Sequence, residues 1–247
     1  MEVHHPHHPT HKKEWKEYIT EFLMLFIAVT LGFFVENLRE HYVEDHRGLT
    51  YAKRLLDDLR EDSARLDQVY NSAGEKVDLI TSIIPYIQDE QKIQQAIDSF
   101  YYFGFWNYNR YGYIGNLTRF YRVEETIDEL KAGNLRLIKS DSVVAYLAAY
   151  SRKYNVLNQV IEIWQERSAN ISKLHAKMFD RTYYLLHEDQ HPKTYPIFYR
   201  DVSKENVYEM KTELLGYRIN MKAMQANVIT LRKLNKQLMF YLTEYLK

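Results

Sequence analysis

The sequence predicts an all-α protein in which an N-terminal transmembrane helix continues into an elongated bundle of long heptad-patterned helices. Three observations predict this fold class. One uncharged apolar run lies near the N-terminus, apolar residues recur at alternating spacings of three and four over much of the remainder, and the 247 residues include only 8 Gly and 5 Pro. Few helix breakers over such a length favour long helices. The predicted divisions are a disordered His/Pro-rich tail at 1–14, an anchor with its flanks at 15–42, and an extramembrane helical body at 43–247.

The apolar run predicts a single membrane-spanning anchor. Its fourteen residues would rise about 21 Å as a helix, whereas the hydrocarbon core is roughly 30 Å thick. Trp15, Tyr18 and Tyr42 flank the run, where amphipathic rings favour the headgroup layer, and the stretch between Trp15 and Tyr42 would rise about 40 Å. The flanks therefore favour a spanning helix. The residues expected in the span are Phe22, Leu23, Met24, Leu25, Phe26, Ile27, Ala28, Val29, Leu31, Gly32, Phe33, Phe34 and Val35.

Two alternatives to a spanning anchor remain open, a cleaved signal peptide and a buried or interfacial helix. Glu14, Glu17 and Glu21 lie where a signal peptide would be basic, and no clear small-residue cleavage site follows the run. Lysines and arginines on both sides do not decide the orientation. Because long domains translocate largely regardless of charge, we expect a single-pass protein of the bacterial inner membrane with a periplasmic body.

The N-terminal tail clusters five histidines between prolines. Clustered imidazoles can bind zinc, copper or nickel, but prolines also suit a disordered polar tail that binds nothing, and no metal site is expected. Thr10 is a predicted N-cap of the helix that enters the membrane. The weak candidate metal ligands are His4, His5, His7, His8 and His11.

Three long stripes of apolar residues predict the bundle helices, over 52–87, 143–185 and 207–245. The first includes two charged residues, Asp62 and Lys76, and Pro85 should kink or end its helix. His175, on the second stripe, is expected to be a core residue with satisfied hydrogen bonds rather than a ligand. On the third, Asn235 either fixes register or oligomeric state, or reaches water at the bundle end.

An aromatic-rich connector at 100–121 follows the first stripe, and half of its residues are Phe, Tyr or Trp. Gly104, Gly112 and Gly115 are expected to interrupt it. It is either a cap on the end of the bundle or a recognition patch for sugars, peptides or a membrane surface. The candidate patch residues are Trp106, Tyr108, Arg110, Tyr111 and Tyr113.

A short helical hairpin is predicted at 122–139, packed onto the bundle through its leucines and isoleucine. Acidic residues suit its first turn, and Gly133 is placed where a residue in the left-handed conformation would end that turn of helix. Ser140 or Asp141 then caps the next helix.

Two segments carry a family resemblance. The His/Pro tail leading into Trp15-Lys16-Glu17-Tyr18, the span, and Glu36-Asn37-Leu38-Arg39-Glu40-His41 form the first, and the stretch from Asp128 to Ile138 forms the second. Together they cover about a quarter of the chain and resemble domain-of-unknown-function family 6090, a family of Bacteroidetes-type membrane proteins. The resemblance implies a single-pass envelope protein, and it implies no catalytic residue.

No catalytic or nucleotide-binding motif is present, the formal net charge is zero, and cysteine is absent. We therefore expect neither an enzyme nor a cofactor nor a nucleic-acid partner. The favoured function is an anchored scaffold or interaction protein that binds an unknown envelope protein and forms homo-oligomers, with Ala28, Gly32 and Asn235 as oligomer contacts. One alternative is a sensory ligand-binding module that works through a separate partner. Another is an accessory subunit of an ion-driven envelope motor, with Glu21 as proton carrier.

Overall fold

The computed structural model describes residues 14–111, 120–182 and 196–247, without the side chains of 103–111. Its α-helices, in chain order, are α1 (Trp15–Gln88), α2 (Ile93–Tyr111), α3 (Glu125–Glu129), α4 (Asp141–Met178) and α5 (Lys204–Tyr245). Within these residues the one extended pairing is a bridge between Phe179 and Tyr199. The predicted all-α class is confirmed. The chain divides into two compact units, residues 1–50 and 51–247.

The first unit, described from residue 14 onward, consists of the N-terminal part of α1. Nearly every residue in it is exposed, including the whole apolar run. The Thr20 hydroxyl donates to the carbonyl oxygen of Lys16 at 2.8 Å, and the Thr30 hydroxyl donates to that of Phe26 at 2.7 Å. Both hydroxyl groups are therefore satisfied within the helix.

The second unit is a bundle in which α1 from residue 51 onward, α4 and α5 share one hydrophobic core. Every predicted position of the first stripe is buried, including Asp62 and Lys76, and the other two stripes are buried as far as Met178 and Leu242. The heptad prediction is confirmed for these helices. These stripes pack against one another inside the chain and form its core.

Polar side chains connect the bundle helices around this core. Arg218 of α5 donates to Thr81 of α1 at 2.9 Å. Between α4 and α5, Lys153 donates to Asn227 at 2.6 Å, and Arg167 pairs with Glu213 at 3.0 Å. Such bonds at the edges of an apolar seam fix the register of neighbouring helices.

Pro85 lies inside α1, which ends three residues later at Gln88. Two sequence expectations about helix ends need correction. Gly104 does not interrupt the aromatic segment, because α2 runs through it to Tyr111. The second stripe stops earlier than predicted: α4 ends at Met178, Phe179 pairs with Tyr199 in extended conformation, and Thr182 is exposed. Leu185, the last predicted member, lies outside the described residues.

The hairpin before α4 agrees with the sequence. Gly133 lies within the π-turn Leu130–Asn134 and has a φ of +120°, which an L side chain rarely adopts. It redirects the chain before the 3-10 turn Leu135–Leu137. Ser140 is the N-cap of α4, since its hydroxyl accepts from the backbone N–H of Val143. Leu130, Leu137 and Ile138 are buried against the bundle.

Candidate functional site

The apolar run of α1 is a candidate membrane anchor. Its large side chains are 45–75 % exposed, and the most apolar 18-residue window of the helix contains no buried residue. By length and composition, α1 is the one helix among the described residues that could cross a membrane. Leu25, Ile27 and Leu31 are therefore not buried by any described part of the chain. Glu36 and Arg39 pair at 2.6 Å just beyond the run, while Glu21 is exposed just before it.

One glycine of this run has no close packing neighbour among the described residues of the chain. Gly32 lies inside α1, and a Cβ added there would have nothing within 4 Å. Glycine within a helix costs about 1 kcal/mol relative to alanine, so the residue is not explained by helix stability. With Ala28 one turn earlier, it forms the small face that the sequence predicts for helix–helix contact in lipid.

A buried polar layer crosses the core of the second unit. Asp62 of α1 accepts a hydrogen bond from the Tyr150 hydroxyl of α4 at 2.6 Å and another from the backbone N–H of Val123 at 3.0 Å. Asn235 of α5 donates to the carbonyl oxygen of Leu59 at 3.0 Å and is 1 % exposed. The layer therefore links α1, the connector before α3, α4 and α5.

The position of Asn235 decides between its two predicted roles. A side chain this buried does not reach water, so the end-of-bundle interpretation is wrong. Because its amide bonds within the chain, the prediction that it contacts a second copy is also corrected. The register-fixing role agrees with the bond to Leu59.

Arg122 brings a cation to the edge of this layer. Its side chain is 6 % exposed and lies 3.7 Å from Glu124 and 3.8 Å from Asp128. The guanidinium group stands over the ring of Tyr154, 4.4 Å from its centroid. Burial raises the pKa of Asp62 to about 6, even though the bonds from Tyr150 and Val123 act in the opposite direction. The layer can thus take up a proton at mildly acidic pH.

A second buried cation lies further along α1. Lys76 is fully buried, and its ammonium group stands 5.7 Å from the ring centroid of Trp164 on α4. Burial lowers its pKa to about 8.

His175 has the core role that the sequence predicts. Arg181 donates to its Nδ1 at 2.9 Å, which leaves the hydrogen on Nε2, 3.2 Å from the carbonyl oxygen of Tyr101. Tyr101 and Phe179 pack around the imidazole ring. Burial, followed by the charge of Arg181, lowers the pKa of His175 to about 3, so the ring stays neutral.

One small cavity opens on α4 next to the connector, with a volume of about 200 Å³. Phe120, Tyr121 and Tyr154 form its aromatic side, and Asn158, Glu162 and Gln165 supply polar groups. Sites that bind small polar ligands such as sugars combine aromatic faces with a few amide or carboxylate groups, and this cavity has that composition.

The outward side of α5 carries a second apolar stripe. It begins at Tyr208 and continues to Phe240 at alternating spacings of four and three residues. Every residue at these positions is exposed. Its five large apolar members are Tyr208 (73 % exposed), Leu215 (37 %), Ile219 (66 %), Ile229 (53 %) and Phe240 (60 %). Lys222, Lys233 and Lys236 lie between them, with the short side chains of Thr212 and Ala226. We call these ten residues the outer stripe.

The other two bundle helices have no such stripe. The equivalent outward positions of α4 are polar or alanine, for example Arg152, Asn155, Gln159 and Glu162. Those of α1 in the second unit are similar, with Asp57, Asp67 and Asp78 among them. Sequence reasoning missed the outer stripe because three lysines interrupt it, although its members follow the core positions of α5 by one and two residues in alternation.

Several predicted site residues cannot be placed. Thr10, Tyr113 and the five tail histidines lie outside the described residues. Four other candidates belong to α2, but their side chains are not described: Trp106, Tyr108, Arg110 and Tyr111. In the described part of the chain, no three His, Asp or Glu side chains form a group that could hold a metal ion.

Comparisons with protein-family models, with curated proteins and with solved structures find no match to this chain. The resemblance to family 6090 therefore stays a prediction.

Proposed function

We propose that the chain is a single-pass scaffold or interaction protein of the bacterial envelope, held in the inner membrane with its bundle in the periplasm. The observation that carries this proposal is the contrast between the two units. The first exposes an uncharged apolar run, whereas the second packs three long helices around one core. An anchor joined to a bundle without a recognisable catalytic group suits binding and positioning rather than chemistry.

Membrane anchoring is tested with two matched valines. Val29 in the apolar run and Val156 on the surface of α4 are 51 % and 43 % exposed. An arginine at the centre of a span costs about 2.5–3.5 kcal/mol on insertion scales, whereas an arginine on a wet surface costs little. Val29→Arg should release the chain into alkaline carbonate extracts of native membranes, and Val156→Arg should leave it in the pellet. Equal extraction of both variants, or extraction of the unchanged chain, would contradict the anchor.

Self-association through the anchor is the second part of the proposal. The open space around Gly32 supports it, since close approach of another helix is a reason to keep glycine there. Gly32→Leu should convert a detergent-stable oligomer into monomers in multi-angle light scattering. Phe34→Leu, on the opposite side of the helix, is the control and should keep the oligomer. A monomeric unchanged chain would remove this part.

A sensory role is the second candidate, and the cavity beside Tyr154 favours it. A ligand there would contact both α4 and the connector that reaches Asp62, so binding would act on the polar layer. Tyr154→Leu, with small saccharides as probes in calorimetry, tests whether the cavity binds. If the unchanged chain releases no heat of binding with these probes, the sensory role is removed and the scaffold role is the remaining candidate.

A further inference from the structure

We propose that the outer stripe of α5 is a coiled-coil seam for an amphipathic helix of another protein, one with acidic residues opposite Lys222, Lys233 and Lys236. This inference deepens the proposed scaffold function and rests on it, because it names the chemistry of the partner that such a scaffold would hold. The exposure of the stripe, its width and its charge support this partner.

The stripe is not ordinary surface. Single exposed apolar residues need no explanation, but apolar residues that recur at helical spacing along one outward face indicate a surface for another element. The five large side chains recur over about 48 Å of helix, at a rise of about 1.5 Å per residue. The equivalent outward positions of α1 and α4 carry no large apolar side chain, although Val156 and Ile163 are exposed elsewhere on α4, so the recurring pattern belongs to α5.

The width of the stripe fits one helix rather than a lipid surface. A step of four residues turns about 40° around the helix axis in one direction, and a step of three turns about 60° in the other. Because the two steps alternate, all ten residues stay on one narrow strip along α5. Glu209 and Gln237 border it on one side, and Arg218 and Arg232 border it on the other. A helix lying in a lipid interface presents a broad apolar face, whereas a narrow two-position stripe over several heptads is the geometry of a coiled coil.

The charge of the stripe selects an acidic partner over a second copy. Between Tyr208 and Phe240 the stripe holds three lysines and no acid. A second copy would bring three more lysines into the same seam, and a parallel pairing would set each against its own equivalent. Charged residues at such positions fix partner and register when the opposing helix compensates them, and they are costly when it does not. Carboxylates opposite the three lysines therefore complete the seam.

A direct binding test uses the full chain in detergent and two synthetic helices. Both peptides carry leucine or isoleucine opposite the five large residues, and they differ only in having Glu or Lys opposite the three lysines. We expect the Glu peptide to bind at least tenfold more tightly by fluorescence anisotropy. The triple variant Lys222→Glu, Lys233→Glu and Lys236→Glu should reverse this preference, while the triple Lys→Arg variant should keep it. Failure of either peptide to bind, or equal affinity, would overturn the inference.

The native partner is tested by photo-crosslinking in intact membranes. Benzoylphenylalanine at Ile219 or Ile229 should form an adduct with another protein, and peptide mapping should locate it on a heptad helix with acids at the facing positions. The same group at Asn155 or Gln159 of α4 is the control and should form no such adduct. An adduct with a second copy of the chain, an adduct with lipid, or a partner helix without acids would each overturn the inference. Because alkaline extraction tests the anchor separately, a failed seam is distinguishable from a failed scaffold function.

Discussion

Tyr150 of α4 donates its hydroxyl hydrogen to Asp62 of α1 at 2.6 Å, across the centre of the bundle. The carboxyl group is fully buried, and its second oxygen accepts from the backbone of Val123. One side chain thus fixes both the α1–α4 contact and the position of the connector. It also makes the bundle sensitive to pH, because a buried carboxyl group binds its proton more tightly than a solvated one.

The first prediction concerns that sensitivity. The pKa of Asp62 is about 6 in the folded chain and about 3.8 when solvated. The folded state therefore binds more protons at Asp62 between these values, so the contribution of this group to stability is fully present below pH 4 and is lost as pH rises through 6, by at most about 3 kcal/mol. Asp62→Asn should flatten this part of the curve and raise the free energy of unfolding at pH 8. Urea titrations at pH 4.5 and 8 measure the difference, with the exposed Asp57→Asn as control. An equal pH dependence in Asp62→Asn and the unchanged chain would contradict the assignment.

The second prediction concerns Lys76. Its pKa of about 8, against 10.5 in water, means that the folded state carries the charge at a cost at neutral pH. Lys76→Met keeps the stem against Trp164 and removes the charge, so we expect about 1–3 kcal/mol of added stability at pH 7. The gain should shrink as pH rises from 8 to 10.5, where the unchanged chain loses the proton. A loss of stability on this substitution would show that the ammonium group is better compensated than its burial indicates.

The third prediction concerns Asn235. Its amide donates to the carbonyl oxygen of Leu59, a bond that Asp cannot make and Leu does not need. Asn235→Asp should lower the free energy of unfolding by about 2–4 kcal/mol, because it places an uncompensated charge near Asp62. Asn235→Leu should raise it by about 1 kcal/mol while broadening the amide resonances of α1 and α5, as helix register becomes less specified. Thermal unfolding and two-dimensional NMR of both variants measure these effects, and a destabilised Asn235→Leu would argue that the polar layer contributes net stability.

The fourth prediction concerns His175. Its pKa of about 3 lies below the value of 6.5 for a solvated imidazole, so the unfolded state binds more protons between these limits. Its contribution to stability is present above pH 6.5 and is lost as pH falls toward 3. His175→Gln can still accept from Arg181 and donate to Tyr101, and should make unfolding less sensitive to acid between pH 6.5 and 4. His46→Gln, at an exposed position of α1, should leave the acid dependence unchanged.

The bundle could be predicted from the sequence because its buried apolar residues recur at regular helical spacing. Residues that share a face of a long helix recur at three and four, so the buried positions of α1, α4 and α5 are readable without knowing their neighbours. Two local features could be predicted because they depend on residues close together in the sequence. The Ser140 hydroxyl caps α4 by accepting from the backbone of Val143, three residues later, and Gly133 is the residue type that most easily adopts a positive φ.

The partners inside the core could not be predicted, because packing brings them from distant parts of the chain. Asp62 was visible as a charge on an apolar stripe, but Tyr150 lies 88 residues away and Val123 lies in a connector without periodicity. The outer stripe was hidden differently. Lysines interrupt its hydrophobic pattern, and only the burial of the neighbouring stripe reveals that a second one faces outward.

Thr30 is the one polar side chain between Phe22 and Val35, and its hydroxyl hydrogen is already given to the carbonyl oxygen of Phe26. The helix therefore offers a neighbouring span no donor of its own along these fourteen residues. Two such helices could recognise each other in lipid only by shape, through the notch at Ala28 and Gly32 and the bulk of the phenylalanines around it. Their pairing should accordingly depend on bilayer thickness and side-chain volume, and be indifferent to salt and pH.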